Sequence, residues 1–215
     1  ADLSGAGLDE ADLSEAVLSN ANLSGAELNR SILMSADLSN TTLRGAKLNA
    51  ANLDRANLSG ATLEKAGLDG AQLNGANLKR AKLSKVSLAI ASLNQADLRG
   101  ANLDDVILAG AQLNGADLKG AKLHQVSLQG AKLDKADFKQ AHLSETTFRG
   151  AVLNEADFSF ATLDGVNFRG VSLSGAILKE TKMRNIQGLS DEQLRECVAR
   201  GAQIESPVAS EVSKQ

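Results

Sequence analysis

Tryptophan and tyrosine are absent from this chain, and phenylalanine occurs only five times in 215 residues. That scarcity excludes a core of the ordinary kind, organised around large aromatic side chains. A single cysteine, Cys197, excludes an intrachain disulfide and leaves the redox compartment open. Charge of one sign is also lacking. Lys and Arg number 23 against 26 Asp and Glu, for a net charge of -3, which gives no basic surface of the kind nucleic acid demands. No apolar run approaches the length of a membrane span, so no membrane insertion is expected. The first residue already stands in the repeat register described below, so no targeting peptide is in view, and a cleaved leader or a longer parent chain is compatible with that.

What is present is an internal repeat. Every fifth residue from Leu3 to Met183 is a large apolar side chain, giving 37 consecutive five-residue units, 32 centred on Leu, four on Phe (Phe138, Phe148, Phe158, Phe168) and one on Met183. Two residues earlier stands Ala in 28 units, and Ser, Thr or Val in the others. A helix cannot use this pattern, because five residues advance by about 500° and smear the Leu positions around the circumference. In an extended segment the first and third residues of a unit point inward together and the second points out. The fourth and fifth must then turn the chain. Gly fills the fifth position in 15 of the 37 units, where its tolerance of positive φ is useful.

The units Ala1-Asp2-Leu3, Ala21-Asn22-Leu23, Ala56-Asn57-Leu58, Ala96-Asp97-Leu98 and Ala116-Asp117-Leu118 carry a signature, A(D/N)LXX, that resembles the pentapeptide-repeat family over residues 1–185. The resemblance implies an all-β fold, a right-handed quadrilateral parallel β-helix in which four units make one coil of 20 residues. The chain would then hold a little over nine coils, roughly 44 Å long at about 4.8 Å per coil. Independently, the inward β-branched residues Val86, Val106, Val126, Thr146 and Val166 recur every 20 residues, with Ile186 continuing the series, and should stack as one column. Phe138 with Phe158 and Phe148 with Phe168 are also 20 apart and should form one pair on each of two opposite faces. Burying each Leu contributes about 1.5–3 kcal/mol, enough in sum to offset backbone ordering without an aromatic core.

The expected organisation is a solenoid over 1–185, a C-terminal cap with a helix over 186–205, and a disordered tail over 206–215. Ser190 is the expected N-cap, Gln193 closes a capping box, Leu189 staples to Leu194 and Gly201 stops the helix. Leu194, Cys197 and Val198 should lie over the last coil and shield its edge. No such cap precedes Ala1, so upstream residues, a partner, or a second copy forming a homodimer is expected to cover the first coil.

No catalytic, cofactor or metal site is expected. Asp104, His124 and Ser144 fall in one outward column, but a convex surface lacks the oxyanion donors and pocket that acyl chemistry needs. His124, His142 and Asp104 lack tetrahedral ligand spacing. Gly110, Gly115 and Gly120 match a phosphate loop only as a by-product of the repeat, since no Lys-Ser/Thr follows. Cys197 has no activating neighbour and should pack beneath the cap. The remaining candidates are surfaces. Ala89, Ile90, Ile107 and Ala109 fall on adjacent coils and form a candidate partner-binding patch, with Ile32 and Met34 as a second spot. Asp97, Asp117, Asp137 and Asp157, continuing a column from Asp37, Asn57 and Asn77, form a candidate acidic stripe. Family members that protect topoisomerases are understood to imitate DNA with such surfaces. In this chain Lys79, Arg99, Lys119 and Lys139 stand beside the stripe and should neutralise it. The leading expectation is a non-enzymatic, rigid scaffold for an unidentified protein partner, with no direct nucleic-acid binding; the alternative is a DNA mimic that inhibits or protects a DNA-binding enzyme. The Leu-centred, loop-free pattern resembles cyanobacterial and thylakoid-lumen members, which implies a bacterial or plastid setting, in cytoplasm, lumen or periplasm.

Overall fold

A computed structural model describes residues 1–205. The chain winds as a parallel β-solenoid in which each residue pairs with the one 20 positions later, from Asp2↔Asn22 through Asn167↔Gln187. Four faces follow from that register. Face A carries the second-position residues Lys82, Asn102, Lys122, His142, Thr162 and Lys182; face B carries Ser87, Ile107 and Ser127; face C carries Gln72, Ser92 and Gln112; face D carries Asn77, Asp97 and Asp117. On face A the pairing is long enough to form strands β1 (Lys82–Ser84), β2 (Asn102–Asp104), β3 (Lys122–His124), β4 (His142–Ser144), β5 (Thr162–Asp164) and β6 (Lys182–Arg184), joined edge to edge in sequence order.

One unit shows why the sequence winds this way. In Ala21–Gly25, the Ala21 N–H donates to Leu18 O across the turn, Asn22 N to Ala1 O in the coil before, and Leu23 N and Gly25 N to Thr42 O and Arg44 O in the coil after. Only the fourth residue's N–H is left, and the Asn22 side-chain oxygen takes it at 3.1 Å. Every backbone N–H of this unit is thereby satisfied without a long strand. The fifth residue is left-handed in nearly every unit, at non-Gly residues as well as Gly, with Ile90 (φ 54°) and Phe160 (φ 62°) among them.

The interior is the stack of first- and third-position residues, with Leu23 through Leu178 sealed from solvent. Val86, Val106, Val126, Thr146 and Val166 are all buried, as one inward column at 20-residue spacing. The rings of Phe138 and Phe158 stack at 4.8 Å and 3°, those of Phe148 and Phe168 at 5.3 Å and 8°, and the two pairs meet edge to face. Inward hydroxyls are tied to backbone carbonyls, as in Thr181 to Phe158 O at 2.8 Å and Ser31 to Leu28 O at 2.7 Å.

Helix α1 (Asp191–Ala199) begins at Ser190 with the expected capping box to Gln193. It buries Cys197; Leu194 is half-buried, and Val198 is exposed, contrary to the expectation that it lies over the last coil. The single-sided contact is enough because the chain then returns to the solenoid: β7 (Gln203–Glu205) pairs in parallel with β6, Met183 against Ile204. Ala202-Gln203-Ile204 thus resumes the repeat on face A displaced by one residue, and α1 stands where the coil opened by β6 would form faces C and D. The tail expected over 206–215 lies outside the described residues.

Candidate functional site

The acidic column on face D has a structural task. Asp97, Asp117, Asp137 and Asp157 each accept the N–H two residues on through Oδ1, at 3.2, 3.0, 2.8 and 2.9 Å. Asn57 and Asn77 do the same in that column. The carboxylates also bind the neighbouring cations: Lys79 and Arg99 hold Asp97 at 3.1 and 2.6 Å, Arg99 reaches Asp117 at 3.4 Å, and Lys139 bridges Asp137 and Asp157 at 3.0 and 2.9 Å. Lys119 reaches no carboxylate among the described residues and contributes only its backbone N–H. Partial burial pushes the Asp97 carboxyl up, but the hydrogen bonds from Arg99 and Lys79 outweigh it and hold the group below the ordinary carboxylate range. At Asp157 burial is likewise outweighed, by Ser159 and Lys139. A hollow of about 530 Å³ over Gly60 exposes Lys79, Arg80 and Arg99 on the same face, two of them already engaged by Asp97.

Asp104, His124 and Ser144 share a column, yet they do not form a relay. His124 Nδ1 meets Ser144 Oγ at 2.9 Å, while Asp104 accepts from Ser84 at 3.3 Å, on the side away from the imidazole. Among the described residues no group of His, Cys, Asp and Glu is arranged to hold a metal ion, and no helix is long and apolar enough to cross a membrane. Cys197 is buried, and that burial pushes its thiol up from the ordinary value.

The candidate apolar patch sits on face B. Ile90 is 70% exposed and Ile107 47%, on consecutive coils, with Ala89 and Ala109 half-buried beside them. Ile90 leans over Gly110, its Cγ2 lying 3.3 Å from where a Cβ would stand there. Ile32 and Met34 are exposed on face C, nearer the N-terminus, with Asn52, Gln72 and Ser92 of the same column between them and the level of Ile90; they form a separate spot. Met34 edges a second hollow of about 600 Å³ that runs past Arg55 and Gly75.

Two features escape the sequence reading. Phe160 and Ile177 are 46% and 49% exposed on adjacent coils of face D, with Lys179 Nζ 5.5 Å above the Phe160 ring. Their outward positions, fifth and second in the unit, are the signal that could have found them. The other feature is a pair of amide ladders, Asp9–Asn29–Asn49–Asp69 on face B and Asp54–Asn74–Asn94–Asn114–Asp134 on face C, in which each side-chain oxygen takes the backbone N–H of the next coil. Asn recurring every 20 residues at the fourth position signals them. On face B the ladder ends where Ala89 donates its N–H to Asp69, at the edge of the apolar patch.

Comparison with known proteins agrees with this architecture. A model described as pentapeptide repeats (8 copies) matches residues 1–33, 11–49, 31–70, 51–89 and 81–120, and one described as a pentapeptide repeat region matches 101–178 and 121–204. The crystal structure of HetL, a pentapeptide repeat protein involved in heterocyst differentiation regulation from the cyanobacterium Nostoc sp. strain PCC 7120, is similar at 32% identity and a TM-score of 0.82, covering 84% of this chain and 82% of that one. Also from Nostoc, alr5209 is 31% identical over 53% of this chain and 84% of its own, with a TM-score of 0.30. QnrB1, a plasmid-mediated fluoroquinolone resistance protein, reaches 22% identity over 75% of this chain and 85% of its own, at a TM-score of 0.40. No curated protein matches the sequence. With the signature unit, the four-faced coil and family models that together reach from residue 1 to residue 204, the chain belongs to the pentapeptide-repeat family.

Proposed function

We propose that this protein is a rigid interaction scaffold that captures a protein partner through face B, with Ile90 and Ile107 as the anchor. The observation that carries this reading is the conformation and exposure of Ile90. A β-branched residue in the left-handed region costs about 1–2 kcal/mol relative to glycine, and an isoleucine 70% exposed gains little burial in the folded monomer to offset it. Most units in this column solve the same turn with Gly. Strain and exposed apolar surface at one residue, beside a second exposed Ile on the next coil, support a partner-binding anchor at this face.

The alternative, a protein that imitates duplex DNA to inhibit or protect a DNA enzyme, is disfavoured by face D. Its carboxylates alternate with Lys79, Arg99 and Lys139 and do not form an uninterrupted negative band.

The test is affinity capture from the source organism's lysate with the intact chain as bait, beside the Ile90→Asp/Ile107→Asp double variant. Prey that binds the intact chain and is lost from the variant, with the melting temperature unchanged, is the expected result. Equal capture by both would discard the anchor, and recovery of a topoisomerase with both baits would favour mimicry.

A further inference from the structure

The fifth position of face B forms the corner between faces B and C, and from coil to coil it reads Gly70, Ile90, Gly110, Gly130, Gly150, Gly170. Ile90 is therefore the single side chain on this stretch of corner. The glycines are not forced by the backbone. Left-handed turns at the same position of other units carry Gln95, Gln125 and Gln140, and a Cβ at Gly130 or Gly150 would meet nothing within 4 Å. A bare shelf of peptide backbone results, three rungs long beyond the reach of Ile90, at about 4.8 Å per rung.

The flanks of the shelf share one charge. On the face B side the fourth-position column reads Ala89, Ala109, Gln129, Arg149, Arg169, and on the face C side the second-position column reads Ser92, Gln112, Lys132, Val152. Over this stretch neither column contains Asp or Glu; Asp69, in the face B column, lies just before it beside Gly70. Lys132, Arg149 and Arg169 are exposed and pair with no carboxylate among the described residues, unlike Lys79, Arg99 and Lys139 on face D. Asp134, two residues from Lys132 on face C, is half-buried and forms no ion pair with it among the described residues.

We infer that this corner binds an acidic, extended segment of a protein partner, its apolar end on Ile90 and Ile107 and its carboxylates on Lys132, Arg149 and Arg169. The absent side chains let the segment's backbone approach the coil directly, and the unpaired cations supply attraction that costs no internal ion pair to release. A protein is favoured over nucleic acid because the anchor is aliphatic and the strip has no aromatic ring on which a base could stack. This inference rests on the proposed role of face B and names the chemistry of its partner.

The test measures fluorescence anisotropy with a labelled peptide of alternating Glu and Ser carrying two Leu at one end, beside a labelled random-sequence DNA duplex. Saturable peptide binding is expected. It should weaken by about tenfold or more in Lys132→Glu/Arg149→Glu/Arg169→Glu. A similar loss is expected in Gly130→Gln/Gly150→Gln, which obstructs the shelf without changing charge. The charge-reversed variant should melt as the parent does; Gly130→Gln/Gly150→Gln should melt somewhat lower, because a left-handed Gln costs more than a left-handed Gly, but still fold cooperatively, since Gln95, Gln125 and Gln140 occupy equivalent turns. Absence of saturable binding, or equal binding by the variants, overturns the inference. Tighter binding of the duplex with the same sensitivity also overturns it, by assigning the strip to nucleic acid. The variants also serve as bait in the lysate capture: prey lost from the Ile90/Ile107 variant but retained by the charge-reversed one leaves the anchor standing and removes only the acidic-segment reading.

Discussion

At the scale of the residue, the second position of each unit explains more than its frequency suggests. Four of the five backbone N–H groups find carbonyls, and the fourth is satisfied by a side chain, through Asn22, Asp37, Asn57 or Asp97 within the unit, or through Asp54, Asn74 and Asn94 from the coil before. Asp and Asn are interchangeable for that purpose, whereas Ala is not. Replacing Asp97 with Asn should therefore keep the cap, lose the ion pairs to Lys79 and Arg99, and cost no more than about 0.5 kcal/mol in urea denaturation; replacing it with Ala should cost about 1–2 kcal/mol by orphaning the Arg99 N–H. The pH dependence separates the two contributions. Because the Asp97 carboxyl titrates below its unfolded value, the unfolded chain binds more protons between the two, and stability rises with pH through that interval. Its contribution is complete above the ordinary carboxylate range and disappears as pH falls through the folded value. The Asn variant should show a correspondingly shallower loss of stability in acid, and an unchanged profile would mean that the ion pairs contribute nothing. The acidic column was legible in the sequence as a column. Its task was not, because spacing alone does not reveal that one N–H per unit lacks a carbonyl.

At the scale of the element, the cap shows where sequence reading succeeds and where it stops. Ser190 and Gln193 announce the helix start because capping is local chemistry, readable from residues three apart. The return of the chain as β7 was missed because Ala202 and Ile204 repeat the inward pattern one residue out of step, and a strict search for period five passes over them. Val198 was misassigned for a related reason. A helix followed by a strand needs to cover less, so α1 buries Cys197 and leaves Val198 in water. Buried, and with its thiol pushed up by desolvation, Cys197 should react with a disulfide reagent only when the cap opens. Ser190→Ala removes an N-cap worth about 1 kcal/mol, and should speed native-state labelling of Cys197 by about fivefold while leaving the global melting temperature nearly unchanged. Labelling at the parent's rate would show that opening of the cap does not limit access to the thiol.

At the scale of the whole molecule, each coil touches only the coil before and the coil after, so stability is a sum of coil terms and nearest-neighbour interfaces. A compact core of the same composition would share every substitution among all its elements. Leu98 is sealed in the middle of the stack, where coils on both sides contact it. Leu98→Ala should cost about 2–5 kcal/mol through lost burial and the cavity left behind. The loss should be felt locally, with amide protection falling in the coil that contains Ala96–Gly100 and in the coils on either side of it. The stacked Phe138, Phe148, Phe158 and Phe168 lie two or more coils away, and their neighbourhood should keep its protection, since no contact connects it directly to the cavity. Hydrogen exchange resolved by coil distinguishes the outcomes. A fall confined to three coils supports a one-dimensional stack whose faces can present a partner-binding strip such as that beside Ile90 while another region opens. A uniform fall would instead mean that the coils unfold as one unit, so that any strain stored at Ile90 is shared by the entire rod.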